Sequence, residues 1–299
     1  MKKVLLIARA RTDRTKELAE TFADRLRKYT EDDISIETCE ISELFFELTP
    51  EKTSIYHPQK GFDLKDFDLV VLRHVGSKWV QAHAITVYCQ SKSVRYTDTY
   101  LNRPLLDNKL STQFQLWSEG ITRWPHTMYG PAEELARRLP ELGEKAVLKD
   151  NEGSKGRLNF VVSSPEQILE LTAEYPDKSF VLQEFIPNDS DLRVLVFNDK
   201  PVMAIRRSGN SDSHLNNTSQ GGSAEIIPLE ELDSAILDIS VKAAQHSKLQ
   251  VAGVDVVLNS QTGEMYLLEV NNAPQISSGS YLEEKAELYA GFIKDMLAA

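Results

Sequence analysis

Two apolar runs, GVDVVL (253–258) and MYLLEVN (265–271), flank NSQTGE, whose Asn, Ser and Gly are turn formers, so an antiparallel hairpin is the simplest arrangement. A hairpin centred near Thr262 sets Asp255 opposite Glu269. Side chains alternate faces along a strand, so Glu269 and Asn271 share a side, and a directly opposed Asp255 shares it with them. Three oxygen donors then converge from two neighbouring strands. Opposed carboxylates repel unless a cation lies between them, and hard oxygens suit magnesium held jointly with phosphate oxygens. Taken alone, the hairpin is satisfied equally well by a solvent-facing pair of acids with Asn271 as a turn former.

A chain of 299 residues, 41% hydrophobic and 26% charged, is long enough to bury the cores of two or three packed units. Its formal net charge of -11 and the lack of a polybasic run argue against a nucleic acid or an anionic membrane as the main partner. The only cysteines, Cys39 and Cys89, have no metal-binding or CxxC spacing, so neither a disulfide framework nor a zinc site is expected. A reducing compartment, the cytoplasm, fits that usage. The opening MKKVLLIARA has the charged start of a signal peptide, but its apolar run ends at Arg9, too short for a signal core or a membrane span. It reads as a first strand.

Residues 1–100 read as an open α/β unit. VLLIA (4–8) is followed by a helix with Ala19, Phe22, Ala23, Leu26 and Tyr29 on one face, then by the strands ISIETCEI (34–41) and DLVVLR (68–73). Arg9, Arg11, Arg73 and His74 lie on loops at strand ends, where solvated surface charge is the simpler reading and a carboxylate-holding role the alternative. A second unit, 101–180, opens with a helix whose expected apolar face is Leu106, Leu110, Phe114 and Trp117, with Lys109 in its first turn. A strand ending at Lys149, the loop GSKG (153–156) and a second strand then form a hairpin, and SPEQ (164–167) starts another helix through a Ser cap and a Pro at the first position. The third unit, 181–299, alternates strands and turns around a polar loop at 209–222, with helices expected at 229–248 and 281–297.

Basic residues recur beside these elements. Lys109, Lys149, Arg193 and Arg207 are each placed to offer positive charge to a polyphosphate. Gly153 and Gly156 allow a loop backbone to approach phosphates closely, and Ser154 and Lys155 add donors. A solvated lysine or an ordinary turn accounts for any one of these alone. GSKG is not a GxxxxGK[ST] phosphate loop, and no GxGxxG fingerprint occurs.

The ordered series DNKLSTQFQLWSEGI, AVLKDNEGSKG, VLQEFI, DLRVLVFNDKPVMAIRR, NNTSQGGSAE, VAGVDVVL and LLEVNNAP resembles the ATP-grasp superfamily, and within it the RimK-type carboxylate-amine ligases. The resemblance spans about residues 100 to 280. It implies an α/β (α+β) ATP-grasp fold with an N-terminal pre-ATP-grasp domain (1–100), a central lid subdomain (101–180) and a C-terminal mixed-sheet subdomain carrying the metal site (181–299). It further implies that Lys109 and Lys149 contact ATP phosphates beneath a GSKG lid, that Gln183, Glu184 and Phe185 line the adenine pocket, and that Asp191 takes a ribose hydroxyl. The resemblance likewise implies that Arg193 and Arg207 face the phosphates or an acyl phosphate, that Asn217 lies near the transferred group, and that Asp255, Glu269 and Asn271 hold two Mg2+ ions, for which Mn2+ can substitute. RimK-type enzymes usually carry an arginine where this chain has Leu215, and often a basic residue where it has Gln220. The lid continues as RLNF in place of a further glycine, whereas the N-x-x-P habit after the last metal ligand is kept as NNAP.

The activity so implied is ATP-dependent ligation of a carboxylate to an amine through an acyl phosphate, acting on an amino acid or a peptide. Positioning and electrostatic stabilisation supply most of such catalysis, so no side-chain nucleophile is needed. The six histidines are scattered without a partner motif; His214, in the polar loop, is the one worth testing. An ATP-grasp kinase, or a nucleotide-binding protein without turnover, would share these motifs. The sequence leaves a homo-oligomer open, because an apolar stripe docked internally looks like one docked on a partner.

Overall fold

In the computed structural model, strand β1 (Lys2–Ala8) has Val4, Leu5, Leu6 and Ile7 buried, and the period-2 alternation of side chains sends them to two different cores. The structure describes residues 1–8, 13–30, 33–48, 53–73, 75, 78–102, 108–153, 157–209 and 223–298. Val4 and Leu6 pack on Phe22, Ala23 and Leu26 of α1 (Asp13–Tyr29), while Leu5 and Ile7 pack on Ala82, Ile85 and Cys89 of α2 (Trp79–Ser91). A strand covered on both faces must be continuously apolar, which is why this one imitates a signal core. β2 (Ile34–Glu40), β6 (Leu69–Arg73) and β7 (Arg95–Thr97) complete a parallel sheet in the order β2-β1-β6-β7. Beside it lies a small antiparallel sheet of β3 (Phe45–Leu48), β4 (Thr53–His57) and β5 (Phe62–Asp63), which the alternation pattern did not announce.

The central unit begins with α3 (Lys109–Ser118), whose packing differs from expectation. Phe114 and Trp117 are 68% and 63% exposed, and Leu116, fully buried, is the residue that anchors the helix. The reason is that α3 docks through its N-terminus and one residue of its last turn, not along a continuous face. Leu106 lies outside the described residues. An antiparallel sheet follows in the order β10-β9-β11-β8, from β8 (Thr127–Tyr129), β9 (Ala146–Asp150), β10 (Asn159–Val162) and β11 (Phe180–Glu184), backed by α4 (Ala132–Arg138) and α5 (Pro165–Glu174). Ser164 caps α5 as its sequence predicts, with Oγ accepting from Gln167 N at 3.4 Å. β11, which spans residues 180–184, pairs with both β8 and β9 and so belongs to this sheet.

The third sheet is antiparallel throughout, in the order β14-β13-β12-β15-β16, from β12 (Asp191–Phe197), β13 (Lys200–Ser208), β14 (Ser223–Ile227), β15 (Val251–Leu258) and β16 (Met265–Asn271). Helix α6 (Ser234–His246), shorter than the expected 229–248 because Asp233 caps it by accepting from Ala235 N, covers one face. Helix α7 (Leu282–Ala298) covers the other, where Tyr289 meets Phe22, Phe197 and Phe292 edge-on and joins the first unit to this sheet in one core. Arg73 is correspondingly not a solvated surface charge. It is 4% exposed, donates to the Pro274 carbonyl at 2.9 Å and lies over the Tyr289 ring. Both cysteines are buried and unpaired.

Candidate active site

On the face of the third sheet that α7 covers, Leu195 and Phe197 of β12 lie under the helix, and the same alternation brings Arg193 and Asp191 to that face beyond it. The strand registers set Arg193 opposite Asp255, and Asp255 opposite Glu269 as the hairpin predicted. These three residues form one row across β12, β15 and β16. In the neighbouring row Asp191 stands opposite Arg207 of β13.

The rows are knitted by two-point ion pairs. Arg193 donates from Nε and Nη2 to Asp255 Oδ1 and Oδ2, each at 2.7 Å, and Arg207 donates from Nε and Nη2 to Asp191 at 2.7 and 2.8 Å. Arg207 Nη2 also lies 3.2 Å from Asp255 Oδ2, and Asn271 Nδ2 donates to that oxygen at 3.3 Å. Burial acts to raise the Asp255 pKa, but the Arg193 and Arg207 charges outweigh it and hold the carboxyl below the usual range. Asp191 is pushed up to about 6, because burial and the Asp255 charge outweigh its share of Arg207. The ribose contact expected of Asp191 finds its two carboxylate oxygens already held by this guanidinium.

Two lysines approach from the central unit. The first backbone N–H of α3, that of Lys109, donates to Asn151 O at 3.0 Å, the second, that of Leu110, to Asn151 Oδ1 at 3.0 Å, and the third, that of Ser111, to the Asn108 cap. The Lys109 ammonium donates to the carbonyls of Asp150 and Gly153 at 3.0 and 2.6 Å and lies 4.0 Å from Glu269 Oε1. Lys109 is thereby tied to the base of the glycine loop on one side and faces Glu269 of the acidic row on the other. Gly153 has to be a glycine, since a Cβ there would lie 2.8 Å from Asp150 Cβ. On β9, Lys149 donates to Gln183 Oε1 at 2.5 Å, and Gln183 Nε2 donates to Thr127 Oγ1 at 2.9 Å. Burial pushes the Lys149 pKa down to about 8 against the attraction of Glu269.

Between the central unit and the third sheet a cleft with about 130 Å³ of water-accessible space is lined by Lys109, Gln113, Trp124, Gly153, Glu269 and Asn271 among others. At the strand end after Gln183, the Glu184 N–H donates to His126 O at 2.8 Å, and Lys145 lies 4.1 Å from the centre of the Phe185 ring. Ser154, Lys155, Gly156 and Asn217 lie outside the described residues, as do Arg9, Arg11, His74, His214, Leu215 and Gln220.

Sequence reasoning missed two structural members of this site. Asn151, which fastens α3 to the central sheet, carried no signal beyond its place after a strand. Gly253 did carry one: its β15 position leaves room for Pro274 of NNAP, and a Cβ there would lie 2.7 Å from Pro274 Cβ. The donor chemistry suits a hard divalent ion. Asp255 and Glu269 supply carboxylates, and Asn271, whose Nδ2 is used on Asp255 and Gly253 O, keeps its Oδ1 as a third oxygen. Among the described residues no group of three His, Cys, Asp and Glu side chains gathers.

Comparison with known proteins agrees with this architecture. The chain resembles D-alanyl-alanine synthetase A from Vibrio cholerae (TM-score 0.71, 13% identity, 99% of this chain and 97% of that one). It also resembles the ATP-grasp ligase PsnB complexed with a minimal precursor (TM-score 0.68, 16% identity, 98% and 97%). An antiparallel lid sheet set across a cleft from a sheet bearing opposed acids is the ATP-grasp arrangement, and the fold is of that class. Residues 107–288 match the RimK-like ATP-grasp domain, over half of the chain. Among curated relatives, a probable alpha-L-glutamate ligase of Cellvibrio japonicus is 31% identical over 224 residues, 73% of this chain and 67% of the relative. Another from Trichodesmium erythraeum is 29% identical over 237 residues, 77% and 76%. The chain therefore belongs to the RimK-like ATP-grasp family, a family of ATP-dependent carboxylate-amine ligases. No helix among the described residues is long and apolar enough to cross a membrane.

Proposed function

We propose that this protein uses ATP and Mg2+ to activate a carboxylate as an acyl phosphate and passes the acyl group to an amine, releasing ADP and phosphate and forming an amide. The observation that carries this reading is the row Arg193–Asp255–Glu269 with Lys109 4.0 Å from its acidic end. Opposed acids and converging cations suit a magnesium-bound polyphosphate.

In this mechanism Lys109 and Lys149 bind the phosphates, and Gly153 to Gly156 cover them. Gln183 holds the Lys149 ammonium in place, and Glu184 and Phe185 flank the base. Arg193 and Arg207 offset charge on the transferred phosphoryl group and the acyl phosphate, with Asp191 orienting Arg207, and Asn217 lies near the transferred group. Asp255, Glu269 and Asn271 would hold the metal, which supplies charge neutralisation at the phosphoryl oxygens. The donor and acceptor are an amino acid and a peptide or amino acid, supported by curated relatives described as glutamate ligases and by structural neighbours solved with precursor peptides.

The test is to incubate the protein with ATP, Mg2+ and pairs drawn from a panel led by L-glutamate and acidic peptides, following ADP and product mass. ADP release requiring both a carboxylate and an amine, with a product one water lighter than their sum, is expected. A stable phosphorylated product formed without amine would make the protein a kinase instead.

A further inference from the structure

The Asp255 carboxylate receives four donors: Arg193 Nε on Oδ1, and Arg193 Nη2, Arg207 Nη2 and Asn271 Nδ2 on Oδ2. Three of these nitrogens converge on Oδ2, which offers only two lone-pair positions and is therefore saturated, while Oδ1 holds one. It is also 5% exposed, and Arg193 and Arg207 have side-chain exposures of 13% and 6%, so solvent replaces a lost partner poorly.

Charge counting sharpens the point. Arg193 and Arg207 balance Asp191 and Asp255, and Lys109 lies 4.0 Å from Glu269, so these three cations and three carboxylates leave the site with no excess negative charge. A divalent ion entering it alone would leave excess positive charge in a low-dielectric setting, and even at the second lone pair of Oδ1 it would lie beside the Arg193 guanidinium bonded to both oxygens of Asp255. A triphosphate changes both terms. Its oxygens give Arg193 and Arg207 alternative two-point partners, and its negative charge balances the ion.

We infer that Arg193 and Arg207 act as resident cations of the metal carboxylate, so that the divalent ion binds tightly at Asp255 only after a polyphosphate has drawn the arginines off it. This ordered binding rests on the nucleotide-and-metal reading proposed above. Asp191 has a part in it: by holding Arg207 through two bonds it keeps that guanidinium within 3.2 Å of Asp255 and beside the place to which the phosphates would come. Replacing Arg193 should therefore tighten the metal and loosen the nucleotide, opposite changes that loss of structure alone would not produce.

The experiment titrates the full-length protein with Mn2+ in the absence of nucleotide, reading free ion by electron paramagnetic resonance. AMP-PNP binding is measured separately in EDTA by calorimetry. Arg193→Gln is expected to tighten nucleotide-free Mn2+ binding about tenfold while weakening metal-free AMP-PNP binding by about as much, a change of roughly 1.4 kcal/mol in each. Adding Glu269→Gln to that variant should return Mn2+ binding to the wild-type level, placing the ion at this row. Should Arg193→Gln fail to fold, Arg193→Lys, which keeps the charge but only a single-point contact, is expected to shift both affinities in the same senses. Equal Mn2+ affinity in wild type and variants, with AMP-PNP still bound by wild type, overturns the exchange and leaves the nucleotide reading standing. Wild-type protein that binds neither Mn2+ nor AMP-PNP overturns both.

Discussion

Asp191 and Arg207 stand opposite each other on β12 and β13, joined by two hydrogen bonds of 2.7 and 2.8 Å in a nearly dry setting. Removing Asp191 takes both of these bonds from the buried Arg207 charge and leaves it only Asp255, 3.2 Å away and already shared with Arg193, so the cost stays below the roughly 3–5 kcal/mol of a fully orphaned charge. Asp191→Ala is thus expected to lower the chemical denaturation midpoint substantially. Asp191→Asn, which keeps one acceptor, should lose less stability yet still lower kcat because Arg207 is no longer oriented. Chemical denaturation and steady-state kinetics on the two variants check this.

Glu269 is the member of the acidic row with a side chain 39% exposed, so the fold tolerates its loss. Glu269→Gln should leave the melting temperature close to wild type while reducing Mg2+-dependent ADP formation by about 100-fold or more, in line with loss of a preorganised charge at the reacting phosphoryl group. Calorimetric melting and a coupled ADP assay are the measurements.

Lys149 is partly buried, and loss of solvent pushes its pKa down to about 8. Its ammonium is charged below that value and neutral above it. In the free enzyme kcat/KM for ATP should therefore fall as pH rises through about 8. Lys149→Arg keeps its charge throughout, so its profile should lose that limb even though its absolute value drops.

Gly253 is pressed against Pro274, with 2.7 Å between Pro274 Cβ and the place a Cβ would occupy. Gly253→Ala forces the segment after β16 outward, at about 1–3 kcal/mol by analogy with overpacked cores. It should also weaken nucleotide-dependent metal binding, because Asn271 bonds the Gly253 carbonyl at 3.2 Å. Denaturation and Mn2+ titration with nucleotide check the two effects.

Asp98 accepts from the Val251 N–H at 3.0 Å at the junction of the first unit and the third sheet. Burial raises its pKa to about 7, against the opposing charge of Arg73. A carboxyl with a raised folded-state pKa binds more protons folded than unfolded between about pH 4 and 7, so its contribution to stability declines as pH rises across that window. The melting temperature of wild type relative to Asp98→Asn should therefore fall from pH 4 to 7 and level off above it.

The amino-acid sequence by itself determined the local and periodic features. The apolar run after Met1 read as a first strand, and Ser164 with Pro165 marked a helix start. The turn formers between 258 and 265 marked the hairpin, but the register of its loop pairs Val256 with Leu267, and a one-residue shift between Asp255 and Val256 is what brings Asp255 opposite Glu269. Only the tertiary structure decided that Arg193 and Arg207 pair with Asp255 and Asp191. Those pairings depend on which strands become neighbours: β12 and β15 come together from 62 residues apart at Arg193 and Asp255, and nothing local records that choice. It also decided that Arg73 is buried and that Phe114 and Trp117 face outward, since a side chain's exposure depends on what packs over it and not on its own period.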